Sequence, residues 1–349
     1  MHIGLASVYH FSCLKGGNER YAHHLALGLV AQGHQVIYYT SRQLPVIEFL
    51  GKPLPSPAWF HPPKTTPLDI FHACGSGLPL LAIASYFHPH IPTFLTFQAP
   101  SNPNSPLLRI GSKFEQANYP RFFDGIITTS PQNQRLLHTQ WPNVPTTFIP
   151  LMVPPIFLQS TLLPSPPLTP RLLFIARLDA HHYYKGLSIA LHALSLLPSP
   201  YHLNIIGDGP LKPTYLRQAY DLGLKSRVHF LGALSDTQLI HYLLTSTCLL
   251  FPSTSDSEGF GLALVEAMAL GLPTITTTAI GIASWLAPKR VTTIIPPHDP
   301  QALAQAIQTI VNQPQPEQIH RAQRFAHTLT LEAMVSSTIT FYHQLQSSK

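Results

Sequence analysis

Charge is scarce in this chain: Asp, Glu, Lys and Arg make up 10% of its 349 residues, against 45% hydrophobic. That balance excludes a disordered polymer and leaves ample apolar surface for a large core. Cysteine is scarcer still. Cys13, Cys74 and Cys248 lie far apart with no C-x-x-C pair, which argues against a disulfide framework or zinc knuckle and suits a reducing compartment. No apolar run is long enough to span a bilayer. The start lacks the basic region of a secretory signal, and Ile3–Val8 reads as a first strand. Lys and Arg form no run and no aromatic-interleaved stripe, so nucleic acid is not an expected partner. The expectation is a cytoplasmic protein.

What is present points to two α/β domains, since 349 residues exceed one ordinary domain. Short apolar runs bounded by Gly and Pro alternate with helix-like segments, the pattern of parallel strands with crossover helices. In the first half the strands fall at Ile3–Val8, Gln35–Thr40, Ile70–Ala73, Thr93–Phe97, Ile126–Ser130 and Thr146–Ile149, with a helix near Glu19–Ala31. The Pro-rich stretch Pro150–Pro170 reads as a join. A second series follows at Leu172–Ile175, Leu203–Ile206, Val228–Leu231, Cys248–Phe251, Thr274–Thr277 and Thr293–Ile295. The expected domains are residues 1–155 and 170–330, and the final helix 331–346 could pack back on the first.

The net charge of +6 suits an anionic partner such as nucleotide phosphates. The densest motif is Ser257-Glu258-Gly259-Phe260-Gly261-Leu262, running on through Glu266 to Gly271-Leu272-Pro273. It joins the Cys248–Phe251 strand to a helix opening near Gly261. Glycines let a backbone approach a ligand closely, and the free N–H groups of a helix start favour anions. The two carboxylates, Glu258 on the loop and Glu266 two turns along the helix, suit hydrogen bonds from sugar hydroxyls and a ribose diol.

This run resembles the group 1 retaining glycosyltransferases of the GT-B fold, whose E-x7-E motif Glu258 and Glu266 match. The resemblance implies two Rossmann-like, doubly wound parallel-sheet domains facing a cleft. It implies that Glu258 faces a donor sugar, that Glu266 meets the ribose, and that the amides of Phe260, Gly261 and Leu262 line the sugar and phosphate pocket. Arg177 with Lys185-Gly186 looks like the family's diphosphate clamp. Such paired cations stabilise a departing nucleotide diphosphate as its charge develops. Gly207-Asp208-Gly209 resembles the family's strand-end turn, and His229-Phe230-Leu231 the segment that meets the nucleobase. In the first half, Gly16-Gly17-Asn18-Glu19 resembles the Gly-Gly-x-Glu loop that opens the first helix.

One departure concerns the first domain, where the family carries a His after the fourth strand and this chain has Gln98. Gln98 can hydrogen-bond a hydroxyl but cannot carry a proton. With Glu19 and His72 it makes up the expected acceptor side, although a core role competes at His72. Among the 20 histidines the metal candidates His23-His24, His88/His90 and His181-His182 have no carboxylate or Cys partner at a usual zinc-ligand spacing, and no metal or other cofactor is expected. No G-x-G-x-x-G follows a strand and no Asp-x-Asp pair occurs, which argues against a dehydrogenase and a metal-clamped transferase.

The expected function is transfer of a hexose from a nucleotide-diphosphate sugar to a glycan, lipid or small-molecule acceptor, with retention of configuration. A nucleotide-sugar-binding protein without turnover and a nucleotide-sugar epimerase stay open as alternatives. The segment Leu107–Arg121, with Arg109, Lys113 and Arg121 among apolar residues, further suggests peripheral contact with an anionic membrane.

Overall fold

The computed structural model describes residues 1–7, 17–40, 46–49, 52–55, 67–75, 80, 84, 87–88, 90–98, 113, 116–159 and 167–346. Among them no helix is long and apolar enough to cross a membrane. The chain divides into two compact units, residues 1–152 with 331–349, and residues 153–330.

The first unit is built on an eight-stranded sheet. Its strands are β1 (His2–Ser7), β2 (Gln35–Thr40), β3 (Val46–Phe49), β4 (Lys52–Pro55), β5 (Ile70–Cys74), β6 (Thr93–Phe97), β7 (Gly125–Thr128) and β8 (Thr146–Phe148). They lie in the order β4-β3-β2-β1-β5-β6-β7-β8, parallel from β2 to β8, with β3 antiparallel to both of its neighbours. β5 and β6 are buried at every residue, as strands covered on both faces are; hence their largely apolar sequence, broken only by His72, Thr93 and Thr96. Helix α1 (Gly17–Ala31) follows β1, and α2 (Pro131–Gln140) starts on Ser130, whose hydroxyl accepts from the Asn133 N–H.

In the second unit, α3 (Pro155–Leu158) precedes six strands, all parallel: β9 (Arg171–Ile175), β10 (His202–Ile206), β11 (Val228–Gly232), β12 (Cys248–Phe251), β13 (Thr274–Thr277) and β14 (Thr293–Ile295). Their order is β11-β10-β9-β12-β13-β14. The chain builds outward from β9 to β11, then returns to start β12 on the other side of β9. In open parallel sheets such a reversal leaves a crevice at the carboxyl ends of the two strands involved.

The crossovers of this unit are α4 (Leu187–Ser195), α5 (Lys212–Asp221), α6 (Asp236–Leu244), α7 (Leu262–Ala269) and the short α8 (Ala283–Leu286), and α9 (Pro300–Asn312) and α10 (Pro316–His327) follow the last strand. Leu172, Phe174, Leu203, Ile205 and Leu250 of the sheet pack with Leu191 and Leu194 of α4 and Ile307 of α9.

Helix α11 (Leu331–Gln346) follows the second unit in sequence but groups with the first. Val335 and Leu331 meet α1 at Gly28, where there is no side chain to hold them off. Tyr342 is fully buried, its ring 4.6 Å from that of Phe94, and its hydroxyl lies 2.6 Å from Nδ1 of His72.

Candidate functional site

The carboxyl ends of β9 and β12 face the reversal in the second sheet, and two loops leave from there. After β9 the chain passes Ala176-Arg177-Leu178 and reaches Asp179. The Asp179 carboxylate accepts from the backbone N–H groups of His181 and His182 at 3.0 and 3.1 Å, and pairs with His182 Nδ1 at 2.7 Å and Arg177 Nη2 at 3.0 Å. These partners, opposing the effect of burial, hold the Asp179 carboxyl below the usual carboxylate range. The anchored turn runs into a 3-10 turn, Tyr183–Lys185, that ends at Gly186. Gly186 has φ 82°, and a Cβ there would stand 2.1 Å from the carbonyl oxygen of Pro252. Only glycine lets the β9 loop rest so closely on the β12 loop.

The second loop leaves β12 through Pro252 and Ser253. The N–H of Thr254 donates to the Tyr184 carbonyl at 2.7 Å, tying the two loops together. The loop then presents Glu258, 7% exposed, whose carboxylate forms an ion pair with the Lys185 ammonium. Lys185 Nζ also lies 5.1 Å from the centre of the Phe251 ring and 5.9 Å from that of Tyr184. The Tyr184 hydroxyl is pushed well above its ordinary value by burial and then by the Glu258 charge. Beyond Glu258, Gly261 caps α7 without a side-chain hydrogen bond. The start of α7, with its uncapped amides, follows Glu258 by three residues on the same loop.

A third turn closes on the same end of the sheet. Gly207 follows β10 with φ 126°, and its N–H donates to the Gly232 carbonyl at the end of β11. A Cβ at Gly207 would lie 1.8 Å from the Ala176 oxygen, so the turn is pressed against the base of the Arg177 loop. Asp208 accepts from the Leu178 N–H through its carbonyl and from the Gly209 N–H through its side chain.

The expected donor residues thus divide. Arg177, Lys185, Gly207, Asp208, Glu258, Phe260, Gly261 and Leu262 lie on loops or at the helix start after β9, β10 and β12. Phe260 and Glu266 are buried, at 4% and 5% exposure, and Phe230 packs against the sheet core. Leu231 precedes Gly232 at the carboxyl end of β11. His229 does not join them. It stands near the amino end of β11, three residues short of Gly232, or roughly 10 Å along a strand. Its ring stacks on His202 instead, at 5.7 Å.

In the first unit, Gly16 lies outside the described residues, and at Gly17 and Glu19 only the helical backbone is described. His72 is no surface group. It is fully buried between Tyr342 and the Thr96 hydroxyl, 2.7 Å from Nε2, and burial pushes its pKa down to about 3. An imidazole in the middle of a covered strand has no route to an acceptor, so the expectation of an acceptor-side role is corrected to a core one. Gln98, half-buried just after β6, accepts through its carbonyl from Thr129 Oγ1 and Asn133 Nδ2. Of the basic segment, residues 107–112 lie outside the described residues, while Arg121 stacks on Phe122 at 5.5 Å.

Asp179 and Tyr184 were missed as participants. The signal existed in part: an Asp followed by a tight turn is a common side-chain-to-backbone anchor.

Residues 163–327 match the family described as Glycosyl transferases group 1. Over this region the chain is similar to the group 1 glycosyl transferases. The chain is similar to the D-rhamnosyltransferase WbpZ of Pseudomonas aeruginosa, 37% identical over 134 residues, which are 38% of this chain and 34% of that protein. The match thus spans about a third of that relative's length. Among solved structures, a sucrose-phosphate synthase from Thermosynechococcus elongatus superposes with a TM-score of 0.79 at 21% identity, covering 100% of both chains. HepE of Anabaena, solved in complex with UDP, gives 0.72 at 18% identity, covering 99% of this chain and 100% of that one. These likenesses establish the fold, two Rossmann-like units in one chain, which is the GT-B fold.

Proposed function

We propose that the protein is a retaining glycosyltransferase that moves a hexose from a nucleotide-diphosphate donor to a glycan, lipid or small-molecule acceptor. The observation that carries the reading is the Lys185–Glu258 pair, on loops that leave the two strands at the sheet reversal. The sugar-transfer activity of the similar D-rhamnosyltransferase and the UDP held by HepE support it.

In this reading Lys185, Arg177 and the amides at Gly261 and Leu262 take the diphosphate. Glu258, released from Lys185 as the anion arrives, orients the sugar hydroxyls, and Glu266 serves the ribose. The bond from the anomeric carbon to the phosphate oxygen breaks, and the acceptor oxygen bonds to the same face of the sugar. The departing phosphate oxygen receives the acceptor's proton. Charge growing on that oxygen is what the cations stabilise, so their effect falls on turnover more than on binding.

The test is a transfer assay across UDP-, GDP-, ADP- and TDP-sugars with a broad acceptor panel. The expected result is turnover by the parent protein and near-complete loss in the Lys185→Ala, Glu258→Gln double variant. Near-normal transfer by that variant contradicts the assignment, and donor binding without turnover on any acceptor points to a binding protein. The basic sequence Leu107–Arg121 extends the reading to an acceptor at an anionic membrane; liposome co-sedimentation indifferent to anionic lipid removes that extension.

A further inference from the structure

The faces of a parallel sheet wrapped by helices are normally apolar, yet one corner of the second sheet breaks the rule. Arg171 opens β9 and is in register with His202, which opens β10; Asn204, two residues on, is in register with His229 of β11. Register and the alternation of side chains put all four on one face of the sheet. With Thr169 and with Tyr242 of α6 they line a hollow of about 360 Å³, within the usual range of small-ligand sites, about 300–1,000 Å³.

The chemistry of this hollow is one-sided. No Asp or Glu lines it. His202 and His229 stack nearly parallel, 13° apart, so two imidazoles lie side by side in the hollow. Burial first, and after it the neighbouring His229, Arg227 and Arg171, all cationic or able to become so, depress the His202 pKa. Arg227 is spoken for by the carbonyls of Leu194, Leu197 and Tyr201. The Arg171 guanidinium makes no ion pair with a described residue.

We infer that this hollow is a second anion site, built for the phosphate group of a small phosphorylated molecule. Arg171 supplies the charge, and the two imidazoles supply ring N–H donors. Asn204, Thr169 and Tyr242 supply hydrogen bonds to phosphate oxygens or to hydroxyls of the esterified alcohol. The site lies at the amino ends of β9, β10 and β11, at the edge opposite the Lys185–Glu258 loops, so its ligand does not compete with a donor diphosphate. The inference does not depend on the transferase reading.

Calorimetric titration of the full chain with inorganic phosphate and with glucose 6-phosphate tests it, in the parent protein and in Arg171→Gln, His229→Gln and Lys185→Ala variants. The first two substitutions fall on exposed side chains, and thermal unfolding checks that those variants fold. The expected result is a saturable event that Lys185→Ala retains and that each of the other two weakens about tenfold, the loss of one charge-assisted contact. Histidine NMR of the same samples should show the His202 pKa rising when phosphate is added, since a bound anion favours the imidazolium. Tighter binding of glucose 6-phosphate than of inorganic phosphate assigns the ester as ligand, and equal binding assigns the free anion. Absence of saturable binding, or binding abolished by Lys185→Ala and untouched by Arg171→Gln, overturns the proposal.

Discussion

His72 shows what a single buried side chain does to the behaviour of a whole unit. Held neutral between Tyr342 and Thr96, it does not take a proton until about pH 3. In the unfolded chain it does so at about 6.5. Between those values the unfolded state binds the extra proton, so stability is intact above pH 6.5 and falls as the pH drops towards 3. The slope from this group is about 1.4 kcal/mol per pH unit. His72→Gln should therefore flatten the loss of stability of the first unit between pH 6.5 and 4, measured by denaturant unfolding against pH. An unchanged slope would contradict the assignment of a neutral buried imidazole. At Lys185 the proposed role is in catalysis. Its ammonium faces Glu258, and Lys185→Ala should lower turnover about 10²–10³-fold, the loss typical of one charge-stabilising contact. Steady-state kinetics showing a change in KM alone would mean that the contact is equally strong in the bound ground state and in the transition state.

At the scale of elements, α11 is fastened to the first sheet through Tyr342. Tyr342→Phe keeps the ring against Phe94 but strips His72 of a buried partner, with an expected cost of about 1–3 kcal/mol. A shift in the urea midpoint of that size checks it. The turn after β10 carries a sharper constraint. Gly207→Ala forces a Cβ onto the Ala176 oxygen, so it should cost more than about 1 kcal/mol and displace the Arg177 loop. A lower unfolding temperature together with weaker nucleotide binding is the expected pair of results.

Elements also show how far the sequence could be read. The strands of both sheets were legible wherever burial on two faces enforces a mostly apolar run, as at Cys248–Phe251. The hairpin β3–β4 was not. Pro53 and Pro55 argue against a strand, and they are tolerated because β4 is the outermost strand of its sheet. At the candidate site, Glu258 and Lys185, singled out by their motifs, are paired with one another in the fold. His229 was misplaced because a motif gives a residue's position along a strand without saying which end of it meets the ligand. The anchoring of the Arg177 loop by Asp179 was invisible, since it depends on which backbone N–H groups the folded turn brings to one carboxylate.

Across the whole molecule, two α/β units built on the same plan carry different loads. The second holds the loops matched to a group 1 glycosyl transferase domain, with its cations on one edge of the sheet and the Arg171–His229 corner on the other. The first is completed by the last helix of the chain. The central claim is that the loops after β9 and β12 bind a nucleoside diphosphate through Lys185. Calorimetry of UDP, GDP, ADP and TDP with the intact chain and with Lys185→Ala tests it most directly. The account predicts saturable binding of at least one of the four, weakened about tenfold or more by the substitution. Binding of none of them, or equal affinity in parent and variant, would contradict it.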